Sequence, residues 1–129
     1  MAEDIAAAKP AASPTAVRLS FAGAATFLIL LAVLHFIKPE LDPSWHFISA
    51  YAIGDHGWIM VLAFLSLALS CVSLFVAIRS QLRTVAGRIG LALLLVSAPG
   101  LTIAAVFTTD PITVSKDAVT TEGTLHNLS

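Results

Sequence analysis

The chain has 129 residues, of which 57% are hydrophobic and 12% are charged, whereas a soluble domain carries about 25% charged residues. This composition excludes an ordinary water-soluble fold. The formal net charge is -1 and the seven Lys and Arg residues are scattered, which argues against a nucleic-acid-binding surface. The single cysteine, Cys71, lies in an apolar run and is interpreted as a small packing residue.

The N-terminal residues 1–18 are rich in Ala and Pro without an apolar period, a pattern that predicts a disordered tail. Three segments without a formal charge follow, at 19–37, 57–78 and 89–109. Each has about the 20 residues that an α-helix needs to cross about 30 Å of hydrocarbon. The sequence therefore predicts an all-α, multi-pass membrane protein, with a three-helix membrane domain at 19–109 and a second tail at 110–129.

A polar stretch with several aromatic residues separates the first two spans. Asp42 followed by Pro43 is typical of a helix N-cap and first helical position, and Gly54 is typical of a helix end. A short helix is therefore predicted at 43–53. Its Trp45 and Tyr51, together with Trp58, are amphipathic side chains expected at headgroup depth, so we predict that this helix lies along the membrane surface.

The basic residues indicate an orientation. If all three helices span, one side holds Lys9, Arg18, Arg79, Arg83 and Arg88, and the other side holds only Lys38 and Lys116. The positive-inside rule then places the N-terminus in the cytoplasm and the C-terminus outside the cell membrane.

Small and helix-breaking residues mark two of the spans. Ser66, Ser70 and Ser73 form a stripe on the second helix, which predicts helix packing, with a polar pathway as the alternative. Pro99-Gly100 interrupts the third helix and predicts a bend there, although such breaks also line binding sites in transporters.

Ionisable side chains gather on the predicted outer side. Six of the eight carboxylates and all four histidines, including His35, fall there. The candidate metal ligands are His46, Asp55, His56, Asp110 and His126, which could bind zinc. Alternatively, a His and Asp pair could activate a water or the Ser49 hydroxyl. No HExxH, CxxC, GxSxG or P-loop spacing is present, and histidines that rest among headgroups or bond a carbonyl are the simpler interpretation.

The sequence resembles a known family in two paired stretches. HFIKPELDPSWHFISAYAIGDHGWIM follows the first span, and FTTDP and TEGTLH follow RIGLALLLVSAPGLTIAAVF. Over about residues 20–126 the chain is similar to the bacterial integral-membrane family called domain of unknown function 998. The matching positions are Pro39, Ile48, Ser49, Tyr51, Ala52, Gly54, Gly57, Phe107, Asp110, Pro111, Thr121, Gly123 and His126. The resemblance implies a bacterial multi-pass membrane protein and no particular activity.

Members of that family generally continue into three further helices, so the resemblance implies the first half of a six-helix fold. It could be a short member, a fragment, or a half that pairs with another copy or a companion chain. The resemblance also ranks Ser49, Asp110 and His126 as candidate catalytic residues, with Asp110 orienting His126 and Ser49 as hydrogen-bond donor or nucleophile. The alternative is a polar network that ties the outer loops together.

These observations support two main hypotheses about function. In the first, the chain is a helix-packing or assembly component that uses the Ser66/Ser70/Ser73 stripe and whose partners are membrane lipid, a second copy or a companion chain. In the second, it is an outer-face hydrolase acting on a lipid or headgroup, with or without zinc. Transport is a weaker third hypothesis, because no formal charge lies within any span.

Overall fold

The computed structural model describes residues 12–129. These residues form four α-helices, α1 Pro14–Ile37, α2 Gly57–Ile78, α3 Val85–Val106 and α4 Thr121–Asn127. Short 3₁₀ helices at Ile48–Ala52 and Lys116–Ala118 lie in the connections, and no strand occurs within 12–129. Because α1, α2 and α3 are each long and apolar enough to cross a bilayer, the chain is an all-α, multi-pass membrane protein, as predicted.

Helix caps decide where the spanning helices begin. The Ser13 hydroxyl accepts a hydrogen bond from the backbone N–H of Ala16 at 3.4 Å, and Pro14 occupies the first helical position. Helix α1 therefore begins before the predicted span and includes residues 14–18 of the predicted tail. Residues 1–11 of that tail lie outside the described part of the chain. Similarly, the Thr84 hydroxyl caps α3, so that α3 begins before the predicted start at residue 89, which rested only on the absence of charge.

Helix α2 packs against both α1 and α3. The approach to α1 is closest at Gly23, where a Cβ would lie 2.6 Å from the Ser66 carbonyl oxygen. The Ser70 hydroxyl donates to the Ser20 carbonyl oxygen at 2.8 Å, and Ser70 and Ser73 are buried. The serine stripe is therefore a packing surface, but α1 of the same chain already covers Ser70, and neither Ser70 nor Ser73 is exposed to a second chain.

The main apolar cluster lies towards one end of the helices. Its largest fully buried side chains are Leu34, Tyr51 and Met60, and the other buried members are Ile59, Ala63, Phe64, Ala104 and Ala105. Residues 38–56 and 107–129 cover this end, and we call them the cap. Towards the opposite end, α3 is loosely packed, because Leu91 is the one buried residue between Val85 and Ser97.

The helix predicted at 43–53 is wrong in extent. Asp42 instead organises a single turn, in which its carboxylate accepts a hydrogen bond from the Ser44 N–H at 2.8 Å and its carbonyl accepts one from the His46 N–H at 3.0 Å. Hydrogen bonds from Ser44 hold the pKa of the Asp42 carboxyl below its usual value. The backbone becomes extended at Phe47, with ψ 150°, and only Ile48–Ala52 forms a helix, of the 3₁₀ type.

Burial of Tyr51 explains this difference. Tyr51 is 1% exposed and donates its hydroxyl hydrogen bond to the Leu41 carbonyl oxygen at 3.2 Å. Burial raises the pKa of the phenol, so that it remains a donor. Tyr51 therefore faces the protein interior and not the surroundings of the chain, whereas Trp45 and Trp58 are 79% and 62% exposed. The extended backbone at Phe47 ends the Asp42 turn, and the 3₁₀ helix that follows places Tyr51 in the apolar cluster while Trp45 remains exposed.

Candidate functional site

Asp110 joins the end of α3 to the start of α4. The Thr120 backbone N–H donates to Asp110 Oδ2 at 2.8 Å, and the Thr120 hydroxyl donates to Asp110 Oδ1 at 2.9 Å. Thr120 is itself the N-cap of α4, since its hydroxyl accepts a hydrogen bond from the Gly123 N–H at 2.9 Å. A Cβ on Gly123 would lie 2.0 Å from Asp110 Oδ2. The carboxylate thus lies against the first turn of α4, where the helix dipole stabilises a negative charge.

His126 fixes the other end of α4. Its Nδ1–H donates to the Phe107 carbonyl oxygen at 2.7 Å, which places the proton of a neutral ring on Nδ1. The side chain is buried, and its ring centroid lies 6.4 Å from that of Phe64 on α2. Asp110 and His126 therefore attach opposite ends of one short helix to the segment that follows α3.

The three candidate catalytic residues do not share a hydrogen bond. Ser49 is half-buried in the 3₁₀ helix, and its hydroxyl has no hydrogen-bond partner within residues 12–129. Asp110 bonds to Thr120 and His126 bonds to Phe107. The structure thus shows the loop-connecting network that was the alternative interpretation for Asp110 and His126, and a catalytic role for the three residues stays a prediction.

The remaining candidate metal ligands are distributed around the cap. His46 is half-buried, and its Nδ1–H donates to the Asp42 carbonyl oxygen at 3.2 Å. Asp55 and His56 are exposed at the start of α2, where His56 adopts a left-handed conformation with φ 63°. In the described part of the chain, no three His, Cys, Asp or Glu residues form a group that could hold a metal ion.

Lys38 is a functional candidate that the sequence interpretation missed. It immediately follows α1 and is only 6% exposed. Its ammonium donates to the carbonyl oxygens of Tyr51 at 3.3 Å and Ile53 at 2.5 Å. These bonds attach the 3₁₀ helix to the end of α1. The sequence interpretation used Lys38 only as one positive charge in the topology prediction. Its position between an apolar span and Pro39 was the one feature that could have indicated a special role.

Two cavities accompany these residues. A cavity of about 280 Å³ in the cap is bordered by Lys38, Glu40 and His46 on one side and by residues 111–113 on the other. A groove of about 750 Å³ separates α2 from α3 and is bordered by Leu67, Cys71, Leu93, Val96, Ser97 and Gly100, with Leu128 and Ser129 at one end.

Comparison with known families shows where this chain belongs. The family profile described as "Protein of unknown function (DUF998)" matches residues 21–129. The chain belongs to the DUF998 family. No curated protein and no solved structure matches this DUF998 chain.

The cap gives a structural reason for several residues by which the sequence resembles the DUF998 family. Gly123 accommodates the Asp110 carboxylate, and His126 bonds back to Phe107. In the other half of the cap, Tyr51 fills the apolar cluster. The two paired stretches thus form two folded segments, each attached to an end of a spanning helix.

We expect His126→Phe to lower the free energy of unfolding of this DUF998 chain by about 1–2 kcal/mol, because the ring is retained while the Phe107 carbonyl loses its donor. Urea or SDS unfolding in mixed micelles, followed by the fluorescence of Trp45 and Trp58, would measure the change. The matched control is Leu125→Phe, which adds a ring to a neighbouring exposed position. Equal stabilities of the wild type and His126→Phe would contradict the anchoring role.

Proposed function

We propose that this chain is an assembly component of the membrane, and that the groove between α2 and α3 binds α3 of a second copy. The observation that carries the proposal is the groove of about 750 Å³ along two spanning helices. Hydrocarbon provides no hydrophobic force that favours one apolar face over another, so helices in a bilayer associate where small residues permit close packing.

The small residues at the contact between α1 and α2 are already occupied within the chain. Gly23 lies against Ser66 and Ser70, so this pair of helices has its close contact. Helix α3 differs, since Ala86 and Gly90 are exposed one turn apart and a Cβ on Gly90 would meet no atom within 4 Å. Ser97 continues the exposed polar and small face and returns its own hydroxyl hydrogen bond to the Leu93 carbonyl at 2.8 Å.

The position of the groove favours a second copy as the partner. One wall of the groove is α3 itself, including the exposed side chains of Leu93 and Val96. When two copies approach through the same face, each α3 enters the other's groove, which gives the self-complementary contact of a two-fold dimer. The same face would bury Gly90 and Ser97 in both copies.

We expect Gly90→Leu combined with Ser97→Leu to weaken self-association by at least about tenfold, since loss of one close helix contact of about 1.4 kcal/mol corresponds to that factor. The measurement is Förster transfer between donor-labelled and acceptor-labelled full chains in liposomes at increasing lipid dilution. Both positions are exposed, so the substitutions add volume without displacing an atom of the same chain.

The matched control is Ala25→Leu, which adds a leucine at an exposed position of α1. It should leave the transfer efficiency unchanged. The proposal fails if the wild-type chain is monomeric at every dilution, or if the α3 double variant associates as strongly as Ala25→Leu.

The surroundings of Ser49 do not favour the hydrolase hypothesis. A serine nucleophile requires a base within hydrogen-bond reach, and Ser49 bonds to no such group among residues 12–129.

A further inference from the structure

The cap cavity contains a buried positive charge without an acidic partner. Lys38 is 6% exposed, and its ammonium bonds to two backbone carbonyls and to no carboxylate of the described chain. An ammonium has three N–H donors, so one remains unused. Removing a charge from water is costly unless an opposite charge approaches it. The geometry therefore favours an external anion beside Lys38.

The other walls of the cavity define what could accompany that anion. His46 borders the cavity, and because its Nδ1–H bonds to the Asp42 carbonyl, Nε2 of the neutral ring can accept a hydrogen bond from an amine but cannot donate one to an anion. Glu40 also borders the cavity and is exposed, without a hydrogen bond or ion pair to residues 12–129. The remaining lining is mostly apolar, consisting of Leu41, Ala50, Ile53, Pro111 and Ile112, with Thr113.

The cavity lies at the depth of lipid headgroups. Helix α1 ends at Ile37, and Lys38 is the next residue, so that its ammonium lies just beyond one end of a spanning helix. Phospholipid phosphates occupy this boundary between hydrocarbon and water. An ammonium that borders a mostly apolar cavity at this boundary lies within reach of a lipid phosphate.

We propose that the cap cavity binds the headgroup of a zwitterionic, amine-bearing phospholipid, with its phosphate beside Lys38 and its amine beside Glu40. The volume of about 280 Å³ suits a small headgroup, and the apolar lining suits the first carbons of the lipid. A headgroup that carries only negative charge would leave Glu40 unpaired and repelled. The site is separate from the α2–α3 groove, so this inference does not depend on self-association.

The test is native mass spectrometry of the full chain in detergent micelles that contain equal amounts of phosphatidylethanolamine and phosphatidylglycerol with the same acyl chains. The wild-type chain should retain more phosphatidylethanolamine than phosphatidylglycerol. Lys38→Met should reduce this retention by at least about tenfold, the factor that corresponds to one charge-assisted hydrogen bond. Lys116→Met is the matched control, because Lys116 is an exposed lysine of the same cap, and it should change nothing.

Glu40→Gln provides a variant that does not touch the fold, since Glu40 bonds to no described residue. It should lower the preference for phosphatidylethanolamine over phosphatidylglycerol by several-fold while total lipid retention persists. The proposal is overturned if Glu40→Gln leaves this preference unchanged, or if Lys38→Met and Lys116→Met retain lipid equally. Displacement of the lipid by millimolar inorganic phosphate would also overturn it, because the site would then bind a free anion.

Discussion

Replacing Gly57 by alanine should lower the free energy of unfolding by about 3 kcal/mol, the upper range for an overpacked interior. A Cβ at this position would lie 2.0 Å from the Ala52 carbonyl oxygen and 2.7 Å from its carbonyl carbon. Both atoms belong to the backbone of the 3₁₀ helix, so no side chain could rotate away. The start of α2 and the segment anchored by Tyr51 would have to separate.

The change is measured by SDS unfolding in mixed micelles, with the fluorescence of the adjacent Trp58 as the signal. Gly90→Ala is the matched control, because Gly90 also lies in a spanning helix but has open space around it. Alanine there should leave the stability unchanged or raise it by up to about 1 kcal/mol, as helix propensity predicts. If both variants unfold alike, the close contact between Gly57 and Ala52 is not important for stability.

Replacing Gly123 by alanine is expected to cost about 2–3 kcal/mol, because the new Cβ would lie 2.0 Å from Asp110 Oδ2 and 2.5 Å from its Cγ. The carboxylate would have to leave Thr120, and two hydrogen bonds would be lost with it. Helix α4 would then separate from the end of α3.

A double-mutant cycle tests this contact directly. Asp110→Ala alone should cost about 1–3 kcal/mol, because the Thr120 N–H and hydroxyl lose their acceptor. In that background Gly123→Ala should cost much less, since the clashing oxygen and carbon atoms are gone, which gives a coupling energy of at least about 1 kcal/mol. Additive effects of the two substitutions would show that the carboxylate does not lie on Gly123.

The same cycle bears on whether Asp110 is a catalytic group. If the Asp110 carboxylate anchors α4, its removal lowers the free energy of unfolding by the value of the hydrogen bonds that it makes. The size of this loss then depends on the residue at position 123. The geometry around Asp110 and His126 accounts for both side chains as attachments of α4, so that neither requires a reaction to explain its position.

Much of the cap could not be predicted because its contacts connect distant parts of the chain. Asp42 and Pro43 predicted a helix that starts at residue 43, but they form a separate turn, and the helix begins only at Ile48 and is of the 3₁₀ type. Propensity alone extends a helix from its cap to a breaking residue such as Gly54. The buried Tyr51 and the ammonium of Lys38 instead limit the helix to Ile48–Ala52. Likewise, the resemblance ranked Asp110 and His126 together, either with Asp110 orienting His126 or as a network that ties loops together, and the structure gives each side chain a separate partner, Thr120 and Phe107.

By itself, the sequence determined the fold class and the three spans, and it identified the serine stripe as a packing surface. These features depend on local composition and on the 3.6-residue period, because every spanning segment must satisfy its own backbone hydrogen bonds. Only the tertiary structure decided which side chains the cap buries, that α1 occupies the serine stripe, and that Lys38 borders a cavity with Glu40 and His46. Burial and pairing depend on residues far apart in the chain, and no local pattern specifies those contacts.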